Sequence, residues 1–444
     1  MMITIPSVAV VGAGPAGIFA ARELASKGVR VALFNRDIKP GGLAEYGIYP
    51  TKVKMKEGLR SQFRQILALD NIEYFGNVRV AQDGILSLDD IRQLGFHAIL
   101  VTCGAQGTKW LNLPGEHLRG VYHAKDLVFR YNLLPPFSEQ PAVIGKRVAV
   151  IGAGNVMMDI TRWLIFDQLV DEVLIIVRRG PAEVKFDKKE VQEVAGYIDM
   201  SAYNQELARV EPLMRAIGQD PIEARRFMDT AVEKAVPGDL QGRIRMRFLA
   251  SPTAIIPSES GGVAGLEVEH NVLALDGDVV KARGTGSRSV LFVDTVVFAI
   301  GDQVDETLGL PVQRGEFVKA PTPRYPQDGQ SYEVYDPEKQ QIISDVFIAG
   351  WARKASSGLV GVARKDGTNG AQAVLAYLES LPQMAEANWD GLYNHLKIPH
   401  HPFVTKKDIL NLEEAEHKMA VQLGLESYKF KSDIEMLTAA GLLD

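Results

Sequence analysis

Cysteine is almost missing from this sequence, with Cys103 alone among 444 residues. A single thiol excludes an internal disulfide, a Cys-x-x-Cys redox pair and any zinc or iron-sulfur site held by several thiolates of this chain, so no metal site is expected. Any electron chemistry would then fall to bound organic groups. A thiol-poor chain also fits a reducing compartment, and a cytoplasmic location is expected. Basic excess is absent too: 49 Lys and Arg stand against 55 Asp and Glu, a formal net charge of -6. That excludes a general nucleic-acid binder, which needs a broad basic surface to neutralise phosphates. The apolar start, Met1 to Ala21, has no basic leading segment. Neither a targeting peptide nor a membrane span is therefore expected.

What is present looks like a compact soluble protein, 46% hydrophobic and 23% charged, with 41 glycines that imply many tight turns. The length exceeds what one core serves, so two or three domains are expected. Self-similarity organises the chain. Val8-Ala9-Val10-Val11-Gly12-Ala13-Gly14 recurs as Val148-Ala149-Val150-Ile151-Gly152-Ala153-Gly154. Each copy is an apolar run fit for a buried parallel strand that breaks at glycine into a helical pattern. The helices are expected at Ala16 to Lys27 and about Asn155 to Phe166, followed by strands Val29 to Phe34 and Glu172 to Val177. The unit is β-α-β, twice.

In the first copy Gly12, Gly14 and Gly17, with Pro15 and Ala16 between them, make a complete G-x-G-x-x-G. The first glycine turns the chain, the second admits a pyrophosphate to the backbone and the third lets helix meet strand. The helix N-terminus then faces phosphate charge. A lone motif of this kind is equally a structural tight turn; a strand before it, a helix after it and a twin favour dinucleotide binding. The second copy keeps Gly152 and Gly154 but places Met157 at the third position, which implies a wider helix-strand separation. Its second strand ends in Arg178-Arg179, where an acidic residue would grip the 2′-hydroxyl of NAD. Two guanidinium groups there attract a 2′-phosphate and favour NADP(H); the alternative is a pair of solvated arginines. In the first copy that position holds Asn35, followed by Arg36. Asn35 can hydrogen-bond a ribose, and Asp37 lies near enough to substitute.

Further along, a strand at His97 to Thr102 leads into Cys103-Gly104-Ala105, and the chain crosses to the second unit near residue 120. Between Asp187 and Ala235 the pattern is helical and charged. Strand-like runs follow at Ile244 to Leu249, Gly265 to Glu269, Asn271 to Leu275, Ser289 to Phe292 and Thr295 to Ile300. The run Asp345 to Trp351 reads as a buried strand returning to the first sheet, followed by a helix at Thr368 to Ser380. The expected class is α/β, with two Rossmann-like dinucleotide-binding domains, the second inserted into the first. The divisions expected are 1–120 and 336–384 for the outer domain, 121–335 for the inserted one and 385–444 for a C-terminal helical extension. That extension reads as a docked tail, a dimer contact or a partner contact.

These pieces resemble the adrenodoxin reductase and glutamate synthase small-subunit group of two-dinucleotide flavoproteins. The resemblance is carried by the first glycine motif, Gly42-Leu43-Ala44-Glu45-Tyr46-Gly47-Ile48, Gly154-Asn155-Val156 with Asp159 and Arg162, Arg178-Arg179-Gly180-Pro181, and Gly350-Trp351. It implies FAD in the outer domain and NADP(H) in the inserted one. It also implies flavin contacts from Gly42, Leu43 and Tyr46, and a place near the isoalloxazine ring for Gly350, Trp351, Gly358 and Leu359, with Gly104 also on the flavin side. Asn155 and Val156 would meet the NADP pyrophosphate. Glu190, the candidate catalytic residue, would stand at the nicotinamide end; on Lys188-Lys189-Glu190 it is equally one more exposed charge. The chain departs from the group in two places. The Asp-His pair that follows the flavin loop in adrenodoxin reductase is replaced around Thr51 and Lys52, and the cysteine-rich cluster domain of glutamate synthase small subunits is absent.

The implied chemistry is hydride transfer between NADPH and FAD, with the protein supplying position and electrostatics. The implied partner is a ferredoxin-like protein that docks on a basic face, for which Lys185, Lys188, Lys189, Arg225, Arg226, Arg243, Arg245 and Arg247 are candidates; the same residues are equally solvated charges. Alternatives are the electron-input subunit of a larger iron-sulfur complex, an NADPH-dependent quinone or small-molecule reductase, and a dinucleotide-binding sensor without turnover.

Overall fold

A computed structural model describes residues 5–235, 242–355, 360–382 and 385–443. The chain divides into two compact units. One comprises Met1–Thr108, Phe129–Glu139 and Gly301–Asp444; the other comprises Lys109–Val128 and Gln140–Ile300. The second is an insertion in the first, bounded by Thr108 and Ile300 where crossings near 120 and 335 were expected. The segment Phe129–Glu139 also rejoins the outer unit. It does so because Phe129 and Leu134 are buried in one apolar cluster with Tyr46.

The outer unit is built on six strands in the order Glu333–Asp336, Gln341–Ile348, Ala98–Val101, Ser7–Val11, Arg30–Phe34 and Ile72–Phe75. All neighbours are parallel except the outermost pair, Glu333–Asp336 against Gln341–Ile348. Alternation sends Val8 and Val10 into one core and Ala9 and Val11 into the other, so both sheet faces are covered, as parallel sheets require. The helix Pro15–Ser26 and the long helix Val360–Ser380 lie together over the first face. Gly367 permits this approach, because a Cβ there would fall 2.1 Å from the Ala16 carbonyl oxygen.

The inserted unit has a parallel sheet in the order Val121–His123, Thr295–Phe298, Arg147–Ile151, Glu172–Val177 and Ile244–Phe248. A separate antiparallel sheet follows, Ala250–Pro257, Val263–Asp276 and Val279–Leu291. Here the sequence reading is corrected. The runs at 265–269 and 271–275 are one strand with a register shift between Glu269 and Asn271, and Ser289 to Leu291 is the end of a strand thirteen residues long, with Phe292 just past it. That strand is largely exposed and polar, so burial left no apolar alternation to read.

Both halves of the C-terminal extension are docked. Trp389, Leu392 and Leu396 enter the second core of the outer unit, whereas Ile409, Leu412, Met436 and Leu437 enter the first. Val404 and Gly76 exchange backbone hydrogen bonds of 2.8 and 2.9 Å, which seal the chain onto the segment just past the edge strand. The docked-tail reading is thus the one the fold displays. Leu412, fully buried, carries enough of this contact that Leu412→Ala is expected to lower unfolding free energy by about 2–5 kcal/mol, read by denaturant titration; an unchanged midpoint would show that the extension contributes nothing to the core.

Candidate functional site

In the outer unit the first strand ends at Gly12, whose φ of 110° lies outside the range of L side chains. Its N–H donates to the Phe34 carbonyl at 2.8 Å, and a Cβ there would fall 2.5 Å from Cys103 Cα. Gly17 is as constrained, since its Cβ would meet the Gly12 carbonyl oxygen at 1.9 Å. Gly14 differs: a Cβ there meets nothing within 4 Å. It precedes a helix that no side chain caps and that starts with Pro15. The first helical amides, those of Ala16 and Gly17, therefore have no partner inside the helix and border open space at Gly14. That is the cradle a diphosphate fits, with the helix dipole favouring its charge.

Other predicted residues gather around this turn. Gly41 N–H donates to the Ala13 carbonyl at 2.7 Å, and a Cβ on Gly42 would lie 3.2 Å from Gly14 Cα. The short helix Leu43–Tyr46 is thereby set beside the glycine motif, with Leu43 half-buried and Tyr46 buried. Gly350 comes to the same place, its Cβ position 2.6 Å from Ala16 Cβ, and Trp351 follows it in a single 3-10 turn. Gly104, with φ of 75°, follows Cys103 across the sheet from Gly12. Gly358 and Leu359 lie outside the described residues.

Asn35 behaves differently from the ribose ligand expected. Its Oδ1 accepts the Ala13 N–H at 3.1 Å, while its Nδ2 donates to the carbonyls of Asp37 and Lys39 at 2.9 and 3.0 Å. The amide thus staples the loop 37–39 to the glycine turn. The neighbouring Arg36 is the exposed group at this strand end, beside Asp37 at 3.1 Å, whose charge raises its pKa.

Two further networks escaped the sequence reading. Asp366 accepts from Gly350 N–H at 2.6 Å, from Tyr332 Oη at 3.0 Å and from both Nε and Nη2 of Arg353, which fixes the Gly350 turn. Below the Gly42 turn lies a buried group of charges. Glu45 is bound by Arg60 at 2.6 Å and Lys429 at 2.6 Å, with Lys39 at 3.8 Å; Lys39 in turn meets Glu416 at 2.5 Å. Burial alone would raise the Glu45 pKa, but Lys39, Lys429 and Arg60 outweigh it and hold the carboxylate well below its ordinary value. No periodicity announces such a cluster, because its members come from five separate segments.

In the inserted unit Gly152 has φ of 154°, and a Cβ there would fall 2.4 Å from the Ala299 carbonyl oxygen. Gly154 again faces open space, and the helix Asn155–Phe166 has no side-chain cap. Met157, at the third glycine position, is fully buried. Asn155 and Asp187 are joined twice, Nδ2 donating to Oδ2 and Asp187 N–H to Oδ1, each at 2.8 Å. This draws the helix Lys188–Gln192, with half-buried Glu190 on it, toward the glycine turn. Val156 is exposed. Arg178 is exposed and Arg179 half-buried, and among the described residues neither guanidinium has an ion-pair or hydrogen-bond partner. Their carbonyls, by contrast, are held by Asn271 Nδ2 and Leu249 N–H. The basic candidates of the following strand are less free, since Arg245 pairs with Asp199 and Glu172 and Arg247 with Glu206.

Lys56 gives the outer site a pH signature. Its Nζ donates to Asn132 Oδ1 at 2.6 Å; burial, and then the charge of Lys429, push its pKa down to about 7. In an unfolded chain the value is roughly 10.4. Between those limits the unfolded chain holds a proton that the folded chain does not, so Lys56 makes stability rise with pH from about 7 to about 10. Lys56→Met should flatten that rise in denaturant titrations across the interval; an unaltered slope would show that Lys56 stays charged in the fold.

The family described as pyridine nucleotide-disulphide oxidoreductase matches residues 6–198. The NADPH-ferredoxin reductase FprA of Mycobacterium leprae is 30% identical over 391 residues, which span 81% of each chain. The mitochondrial NADPH:adrenodoxin oxidoreductase of Salvelinus fontinalis is 27% identical over 404 residues, 83% of this chain and 77% of the other. The solved structure of FprA, a Mycobacterium tuberculosis oxidoreductase, shares the fold with a TM-score of 0.80 at 25% identity, covering 98% of this chain and 99% of that one.

Proposed function

This chain belongs to the pyridine nucleotide-disulphide oxidoreductase family, among the NADPH-ferredoxin and adrenodoxin reductases, and on that premise we propose that it transfers hydride between NADPH and FAD and passes electrons to a ferredoxin-type protein. The observation that carries the reading is the doubled cradle: two glycine-hinged crossovers, each with an uncapped helix start and open space at the second glycine. Bound FAD would accept hydride and release electrons, and this chain's part is to hold, orient and charge-match.

In the outer unit Gly12, Gly14, Pro15, Ala16 and Gly17 would hold the FAD diphosphate, with Gly42, Leu43, Tyr46, Gly104, Gly350 and Trp351 around the rest of the cofactor. Arg36 is better placed than Asn35 to meet the adenosine end, because the Asn35 amide hydrogens are already engaged. In the inserted unit Gly152, Gly154, Asn155 and Val156 would hold the NADP(H) diphosphate and Glu190 would serve the nicotinamide end. The guanidiniums of Arg178 and Arg179, unpaired among the described residues, support a 2′-phosphate over a bare ribose, because an open fork of donors matches phosphate geometry.

With both arginines replaced by alanine, KM for NADPH should rise about 10- to 100-fold, as loss of charged hydrogen bonds implies, while NADH oxidation stays unchanged. Equal losses with both nucleotides would remove the case for phosphate recognition. A ferredoxin partner is tested separately by ionic strength: ferredoxin reduction should fall steeply with added salt while turnover with a neutral quinone holds. Salt-insensitive ferredoxin reduction would argue against electrostatic docking.

A further inference from the structure

The helix Leu43–Tyr46 has only four residues and follows two glycines at positive φ, Gly41 and Gly42. Nothing local holds so short a helix, because one turn cannot offset the entropy of nucleation. Its shape is imposed from two sides. Above, Gly41 is tied to Ala13 and Gly42 rests on Gly14. Below, Glu45 anchors the turn in the buried charges. Lys429 Nζ meets the Glu45 carboxylate at 2.6 Å, donates to the Glu45 carbonyl at 3.1 Å, and lies 4.7 Å from the centre of the Tyr46 ring. Glu416 reaches the same cluster through Lys39. Both residues come from the C-terminal extension, more than 370 positions away in sequence.

Docking alone does not require these charges. Ile409, Leu412, Met436 and Leu437 already bury the extension, and Arg64 pairs with Glu413 at 2.7 Å on its exposed side. Buried ions lose hydration and hold a tail no better than apolar groups of the same volume. What they add is a fixed direction. They also set the Lys429 ammonium directly beneath the turn, against Glu45 and the Tyr46 ring, while Arg60 is shared between Glu45 and the exposed Glu57 at 3.5 Å.

We propose that Lys429 and Glu416 of the C-terminal extension are positioning residues for the flavin-binding turn, clamping Gly42–Tyr46 through Glu45 and Lys39 and setting the Lys429 cation beneath it. This rests on the reading of the outer unit as the FAD site. The clamp makes FAD binding depend on the extension even though the extension lies far along the chain from the cofactor-binding motifs. The Lys429 cation beneath the turn favours the more negative, reduced state of the bound flavin.

The test uses the full-length protein stripped of flavin and retitrated with FAD, read by quenching of flavin fluorescence, with the visible spectrum and midpoint potential of the reconstituted protein. Lys429→Met and Glu416→Gln should each raise the FAD dissociation constant about tenfold, the loss of one charged contact. Lys429→Met should also move the potential to a more negative value, and Lys429→Arg should restore both readings. Glu413→Gln, which loosens the same helix away from the turn, should change neither. If Lys429→Met fails to fold, Glu416→Gln alone decides through the same affinity. The clamp is overturned if both folded variants keep wild-type affinity and potential, or if Glu413→Gln loses as much as they do. A wild-type protein that takes up no FAD overturns the functional reading together with the clamp.

Discussion

Both halves of this molecule depend on the same steric constraint, the place where a parallel strand turns into a helix with no room for a side chain. At Gly12 and Gly152 a Cβ would press into the neighbouring backbone at 2.5 and 2.4 Å. Only glycine lets the strand, the next strand and the helix start converge there. The convergence leaves the first helical amides without partners inside their helices and leaves Gly14 and Gly154 open. Unmet donors at the positive end of a helix dipole are what a diphosphate satisfies. The cofactor reading is thus a consequence of backbone packing before any side chain is considered.

Side chains then differentiate the two copies. In the outer unit Asn35 and Asp366 act as staples, one joining the loop 37–39 to Ala13 and the other fixing Gly350. In the inserted unit Asn155 and Asp187 do the corresponding work by a reciprocal pair. Among the described residues Arg178 and Arg179 are left unpaired, while nearby Arg245 and Arg247 are neutralised by carboxylates. That contrast separates arginines open to an anion from those engaged in the fold, a distinction that net charge cannot draw.

Legibility in the sequence followed physical cause. The repeated strand-glycine-helix pattern was readable because burial on both faces forces unbroken apolar runs and close approach forces glycine. The helix Asn155–Phe166 and strand Glu172–Val177 stand where they were expected. The strand Val279–Leu291 was not readable, since an exposed strand is free to be polar. The extension was ambiguous for another reason. An amphipathic helix announces that one face is covered but not by what, and here the cover is the chain's own core.

By itself, the amino-acid sequence determined the two crossovers, their glycine hinges and the charge character at the ends of their second strands, because each is a local demand on residue type. Only the tertiary structure decided that Asn35 is a staple, that the outer unit reclaims the chain at Gly301, and that Glu416 and Lys429 lie under Glu45. The clamp joins segments more than 370 residues apart, and the Asn35 staple, though local, is a choice among partners that residue type alone does not make.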